Sequence, residues 1–551
     1  MAWLLLYAVE NIMDDIKGCE RVIKERIMKN LKLEDLSVEQ KLGMVMCARS
    51  FSYTDETDVE FILNMIRNHG LGCVQVPYKK PELVKKILEA ADYPIIMVLD
   101  MEMGYPASEL PPIPMMTLAA CDNPEYYRSF ARAVVADAKA AGCNGTWGPV
   151  VDILSGQNPI MVYRKFSDDP ERVAAAAIEI SQVFANNHFM SCGKHYPGGS
   201  GIGMDSHMTT SDSPSTEEEL LTEKLIPYKR LMEKGLLPAI MPTHRVHTAV
   251  DPEYPASLSK KVIDLIRNIG FDGVSFTDSF AMMAILQKYG EDKVLGMAIA
   301  AGNDIVLPNY RKSTKESFQF LMQNYRDGLF TEERLNEAVG RVLALQAYLG
   351  EEPENPDLFT SKDLENYYNI AKDCITAVLD TGLDAALDLN NKDRLFVVLT
   401  ELDRGDSEIV REMITRRWYH PDEIIKKISQ EFPEAEIVTL SEFSTSKENE
   451  QVLLAAARHK EVVFVTFCNG QPYLGTDGLT RRTEAVINSL VLSGKLSTVL
   501  HFGNPFALQT LFHIPRKLFG YMMPQSQSYA IEVLAGKIPA KGTLPYNVTF
   551  Q

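Results

Sequence analysis

Three stretches of this chain carry side chains able to make or break a bond to carbon. Asp278 closes the apolar run VSFTDSFAM. A carboxylate there can cap a following helix, or, at the edge of a pocket, attack an electrophilic carbon. Asp205 and His207 stand two residues apart in GKHYPGGSGIGMDSHMTTSD, residues 193–212. In an extended segment both side chains point to one side. The carboxylate can then hold the imidazole's tautomer and raise its pKa, which poises His207 as a proton donor near neutral pH. Gly193, Gly198, Gly199, Gly201 and Gly203 let this loop fold over a site and move; the same letters also fit a plain surface loop. A zinc site built from His195, Asp205, His207 and His244 matches no standard ligand spacing, so no metal and no cofactor are expected. The third group is Asp100, Arg164, Lys194 and His244. Singly, each reads as a rim salt bridge or polar contact; as a set they suit a ligand rich in hydroxyls, held by charge-assisted hydrogen bonds.

These residues fall at the ends of regularly spaced elements. Between about residues 34 and 350, eight apolar runs alternate with amphipathic helical stretches: KLGMVMCAR, LGCVQVP, YPIIMVLDME, CNGTWGPVVDI, HFMSCGKHYPG, LPAIMPTHRV, DGVSFTDSF and NDIVLPN. Stretches such as DVEFILNMIRNHG and SLSKKVIDLIRNIG repeat apolar residues at i, i+3, i+4 and i+7, and several end in glycine. Nearly continuous apolar runs suit buried parallel strands. Eight such units predict a (β/α)8 TIM barrel over residues 34–350. Asp100 and Glu102, Asp152, Lys194 and His195, His244 and Asp278 all end runs, and in such a barrel these ends open onto one face. Residues 351–364 are charged and proline-containing and predict a linker. From 365 to 551 a second alternating set (RLFVVLT, EIVTL, EVVFVTF, STVLHFGNP, KLFGYM) predicts a three-layer α/β/α sandwich domain. Residues 1–33 predict a helical extension.

Composition narrows the partners. The 551 residues carry a net charge of −18, with 46% apolar and 24% charged side chains. That balance is ordinary for a globular chain and argues against nucleic acid and anionic membranes. The eight scattered cysteines form no CxxC pair and read as buried free thiols in a reducing compartment. The N-terminal apolar run has no basic residue before it and reads as a packed helix rather than a leader. A cytoplasmic location is therefore expected, with a homodimer left open.

Taken in order, these motifs resemble glycoside hydrolase family 3, and within it the β-N-acetylglucosaminidase branch. GKHYPG (193–198) resembles the family's KHFPG, MDSH (204–207) the branch's acid/base motif, and PASLSKKVIDLIRNIGFDGVSFTDSFAMMAI (255–285) the run up to the nucleophile. AGNDIVLP (301–308) resembles the eighth strand; HFGNPFALQTL (501–511) and YAIEVLAGKIPAKGTLPYNV (529–548) resemble the second domain of two-domain members. The resemblance implies a retaining exo-hydrolase in which Asp278 is the nucleophile and His207, held by Asp205, the general acid/base. It also implies sugar contacts from Asp100, Arg164, Lys194 and His195. The chain departs from the family around the sugar: DMEMGYPAS (100–108) stands for DxEGGR and lacks its arginine, PGGSGIG for PGHGDT, and NPIMVYRKFSDDP (158–170) for GxRSFG. A phosphorylase, a β-glucosidase-like hydrolase with altered specificity, and a non-catalytic sugar-binding homologue are the alternatives.

Overall fold

The computed structural model describes residues 28–49, 55–154, 161–198, 209, 211–400, 418–468 and 478–551. These form two compact units. The first draws on Met1–Leu110, Tyr127–Gly156 and Asp169–Asp363, the second on Pro111–Tyr126, Gln157–Asp168 and Leu364–Gln551.

The first unit contains eight parallel strands: β1 (Cys47–Ala48), β2 (Cys73–Gln75), β3 (Ile96–Leu99), β4 (Gly145–Thr146), β5 (Gly193–Tyr196), β6 (Ala239–Pro242), β7 (Val274–Ser279) and β8 (Ile305–Leu307). Each lies inside one of the eight apolar runs. β1 to β4 pair in order, and so do β5 to β8. Two seams join the halves. Gly145 bridges Met190 just before β5, and Met46 just before β1 bridges Val306 on β8. The amide of Val306 donates to the Val45 carbonyl at 2.9 Å, and the amide of Met190 to the Asn144 carbonyl at 2.9 Å. The sheet is therefore closed, and the expected (β/α)8 barrel is present.

Inside it, Cys47, Cys73, Val98, Trp147, Met190, Cys192, Met241, Phe276 and Leu307 form one apolar cluster. Gly145 belongs here because a Cβ at that position would come within 2.7 Å of the Met190 Cβ. The outer helices follow from local signals. Lys260–Asn268 buries Val262, Ile263, Leu265 and Ile266 and starts at Ser259, whose side chain accepts from the Val262 amide. Pro170–Asn186 starts with Asp169 as cap and proline at its first position, a preferred arrangement. Glu291–Ala301 stops at Gly302, whose φ of 114° suits glycine alone among common residues. Among the described residues no helix is long and apolar enough to cross a membrane.

The second unit holds a six-stranded sheet: β9 (Thr376–Leu379), β10 (Arg394–Thr400), β11 (Glu436–Ser441), β12 (Glu461–Phe467), β13 (Leu496–Phe502) and β14 (Arg516–Phe519). Across the sheet the order is β9-β14-β13-β12-β10-β11. All neighbours are parallel except β9, which runs antiparallel to β14. The five parallel strands thus reverse direction of winding between β10 and β12, which places helices on both faces. Pro421–Glu431 packs with Pro524–Leu534, and Ser446–Arg458 with Arg481–Leu492. This is the expected α/β/α sandwich. The helix Met115–Cys121 also belongs to this unit, where the amide of Thr543 donates to the Ala120 carbonyl at 2.9 Å. The seven described cysteines are all free, and six of them are buried.

Candidate active site

Strand alternation sets the residues at the carboxyl-terminal mouth of the barrel. Cys47, Cys73, Val98, Cys192 and Phe276 face the interior. Two residues further along the same strands come Arg49, Gln75, Asp100, Lys194 and Asp278, which share that inward parity. Trp147, just past β4, belongs to the cluster, with its ring centroid 6.4 Å from that of Phe276.

Lys194 is the best-held member. Its Nζ lies 2.6 Å from Asp100 Oδ1 and 2.6 Å from Glu102 Oε1. The lysine side chain is 3% exposed, whereas that of Asp100 is 54% exposed. The ammonium is thus fixed from below, and the Asp100 carboxylate is presented to solvent, where it can accept from ligand hydroxyls. Next along the chain, the His195 Nδ1 lies 2.8 Å from Asp152 Oδ2, and the His195 amide donates to Asp152 Oδ1 at 3.1 Å. Asp152 therefore sets both the backbone and the ring orientation of His195. The peptide bond between Lys194 and His195 is cis.

Asp278, next to last in β7, is half-buried, and its Oδ1 accepts from the Ser279 amide at 2.6 Å. Asp278 shares one neighbour with the Lys194–Asp100 pair, the buried thiol of Cys192. Burial pushes Cys192 well above the usual thiol range; Lys194 pulls it down, while Asp100 and Asp278 both push it up. All three charges therefore act on the same buried thiol.

His244 takes a different place from the other expected hydroxyl readers. It is fully buried, its Nδ1 2.7 Å from Ser257 Oγ and its Nε2 2.9 Å from the Ser279 carbonyl. Its ring stacks on Phe280 at 5.3 Å. A carbonyl can only accept, so Nε2 carries the proton and Nδ1 accepts from the serine hydroxyl. Three residues on, burial and the nearby Arg245 guanidinium depress His247 to about 3.

Arg164 ends the short turn Val162–Arg164 in the segment that belongs to the second unit. Asp205 and His207 lie outside the described residues. Among the described residues no cluster of three or more histidine, cysteine or carboxylate side chains is arranged to hold a metal ion. Three members of the mouth, Arg49, Gln75 and Trp147, carry no signal in the motifs. Counting by two from Cys47 and Cys73, which lie in two of the apolar runs and belong to the barrel's core cluster, finds the first pair.

Comparison with known proteins gives the same family as the motifs. Residues 38–345 match the glycosyl hydrolase family 3 N terminal domain. Among curated relatives, a β-N-acetylglucosaminidase/β-glucosidase of Cellulomonas fimi is 28% identical over 337 residues, which is 58% of this chain and 59% of that protein. A β-hexosaminidase of Chromobacterium violaceum is 35% identical over 176 residues, 32% of this chain and 49% of that protein. The chain thus spans only about half to three-fifths of these relatives' lengths. Two solved structures share the fold along nearly their whole length. A family 3 β-N-acetylglucosaminidase from Paenibacillus sp. has a TM-score of 0.76 at 24% identity, covering 94% of this chain and 100% of that one. A β-glucoside phosphorylase has a TM-score of 0.75 at 21% identity, covering 97% and 96%. With a matching domain that takes in all eight barrel strands and the charges at their mouth, the chain belongs to glycosyl hydrolase family 3.

Proposed function

We propose that the protein is a retaining, exo-acting β-N-acetylglucosaminidase that removes terminal N-acetylhexosamine from small glycans. The carboxylate of Asp278 attacks the anomeric carbon and forms a covalent glycosyl-enzyme, while His207, steadied by Asp205, gives its proton to the departing glycosidic oxygen. In the second step His207 takes a proton from water, whose oxygen attacks the same carbon and returns Asp278 to its ionised form. Asp100, Lys194 and His195 hold the sugar's hydroxyls. His244, expected among the hydroxyl readers, acts instead on the backbone that follows the nucleophile.

The observation that supports this most is the placement of Asp278, Asp100 and Lys194 at the carboxyl-terminal side of strands in one closed barrel, with Lys194 bonded to Asp100. Aryl β-glycosides of N-acetylglucosamine, N-acetylgalactosamine, glucose and xylose test it, each with the wild type and Asp278→Asn. N-acetylglucosaminide turnover that vanishes in the variant supports the reading, and equal turnover by the two proteins sinks it.

Phosphorolysis is the second reading. A neutral imidazole beside the intermediate does not repel phosphate as a carboxylate would, and one solved structure of the same fold is that of a β-glucoside phosphorylase. Sugar 1-phosphate that forms in proportion to added phosphate would favour it. A cytoplasmic location agrees with the free thiols, and a homodimer is a further expectation that sedimentation would check.

A further inference from the structure

The mouth of the barrel has a second pole. Arg49 is 8% exposed, and its Nε donates to Gln75 Oε1 at 3.1 Å. Its guanidinium carbon stands 5.9 Å from the Trp147 ring centroid and 5.3 Å from that of Tyr310. The side chain is therefore fixed at one end by an amide and flanked by two aromatic rings. Its Nη1 is buried and has no hydrogen-bond partner, and neither has the buried indole nitrogen of Trp147.

This arrangement is costly unless something completes it. A buried guanidinium cannot shed its charge, and a buried charge needs a counter-charge or a full set of acceptors. Among the described residues no carboxylate pairs with Arg49, although the chain holds 74 acidic against 56 basic side chains. Two unpartnered N–H donors, one of them cationic, sit on the ring of residues that also carries Asp100, Lys194 and Asp278. The inward parity of Arg49 and Gln75 points both at the space a ligand would enter.

We infer that Arg49, with the Trp147 indole and with Gln75 as its orienting partner, is a binding site for an anionic oxygen group: a carboxylate carried on the sugar, or an inorganic phosphate that enters with it. The flat guanidinium matches either, since both present paired oxygens. The inference deepens the proposed reading of the mouth as a glycoside site. The binding it invokes can nevertheless be measured without turnover.

Calorimetric titration of the full chain with inorganic phosphate, glucuronate and glucose, at fixed ionic strength in chloride, tests it for the wild type, Arg49→Gln, Arg49→Lys and Trp147→Phe. Phosphate or glucuronate should bind the wild type at least about tenfold more tightly than Arg49→Gln, with Arg49→Lys between them, Trp147→Phe weakened less than Arg49→Gln, and glucose indifferent to all three changes. Preference for phosphate would identify the acceptor as the source of the anion, and preference for glucuronate the substrate. Anion affinity equal in wild type and in folded Arg49→Gln, with folding checked by thermal melting, overturns the inference. So does failure of both anions to bind the wild type. Loss of aryl glycoside turnover with anion binding intact would instead count against the proposed hydrolase.

Discussion

His244 Nε2 lies 2.9 Å from the carbonyl oxygen of Ser279, whose amide holds Asp278 Oδ1 at 2.6 Å. One residue is thus gripped from both sides of its peptide, by a buried imidazole and by the proposed nucleophile. Replacing His244 with Phe keeps the stack on Phe280 and removes the donor. We expect kcat on an aryl N-acetyl-β-glucosaminide to fall by about 10–100-fold with KM nearly unchanged. His244→Gln, which retains an N–H donor, should recover part of the loss. A change confined to KM would mean that His244 touches the sugar instead.

The Lys194–Asp100 pair makes the opposite prediction. Asp100 is open to solvent, and its removal leaves Lys194 still bonded to Glu102. Asp100→Asn should therefore leave the melting temperature within a few degrees of the wild type and raise KM by about tenfold or more. Lys194→Met leaves two carboxylates facing each other without the cation between them. It should lower both affinity and thermal stability, as read by steady-state kinetics and by melting.

Stability of the barrel should depend on Asp304 more than on any exposed ion pair. Its fully buried carboxylate meets Arg267 at 2.7 Å, Arg334 at 2.7 Å and Arg341 at 3.3 Å, and accepts from the Ser275 amide at 2.9 Å. Asp304→Asn leaves three guanidinium groups around a neutral amide, and should cost about 3–5 kcal/mol. Denaturant unfolding measures this directly. A loss below about 1 kcal/mol would place it with ordinary surface pairs.

Acid should loosen both units. Burial depresses His501 to about 4 and, with Arg245, His247 to about 3, against about 6.5 for a free histidine. Below pH 6.5 the unfolded chain binds a proton at each site that the folded chain refuses. Stability is then complete above pH 6.5 and falls on acidification, by roughly 1.4 kcal/mol per pH unit for each histidine, down to the folded values. Melting curves between pH 7.5 and 4.5 should show the slope, and His501→Gln should reduce it.

What could be read in the letters alone followed from run-and-end patterning. Every barrel strand lies in an apolar run, and Asp100, Lys194 and Asp278 stand where those runs stop. The antiparallel strand Thr376–Leu379 escaped because one buried and three half-exposed residues soon after a helix give no long apolar run. The helix Met115–Cys121 gave no sign that it belongs with residues 364–551, since adjacency in the chain says nothing of distant packing. The letters place His244 at a strand end but do not disclose that both its ring nitrogens already have partners, Ser257 Oγ and the Ser279 carbonyl. Arg49 was overlooked because motifs draw attention to dense clusters, whereas its partners come from β2, from the residue after β4 and from the loop after β8.

The bridge between Met46 and Val306 also orders events at the ribosome. The first strand waits for a partner that is translated last among the eight, so throughout synthesis of the barrel it has a bare hydrogen-bonding edge. A nascent chain stopped after β7 would expose that edge together with the far side of β7, and two such edges on separate chains can zip to each other. Truncated forms ending before residue 305 should accordingly precipitate rather than accumulate as partial barrels, and slowing translation ahead of β8 should lower the soluble yield.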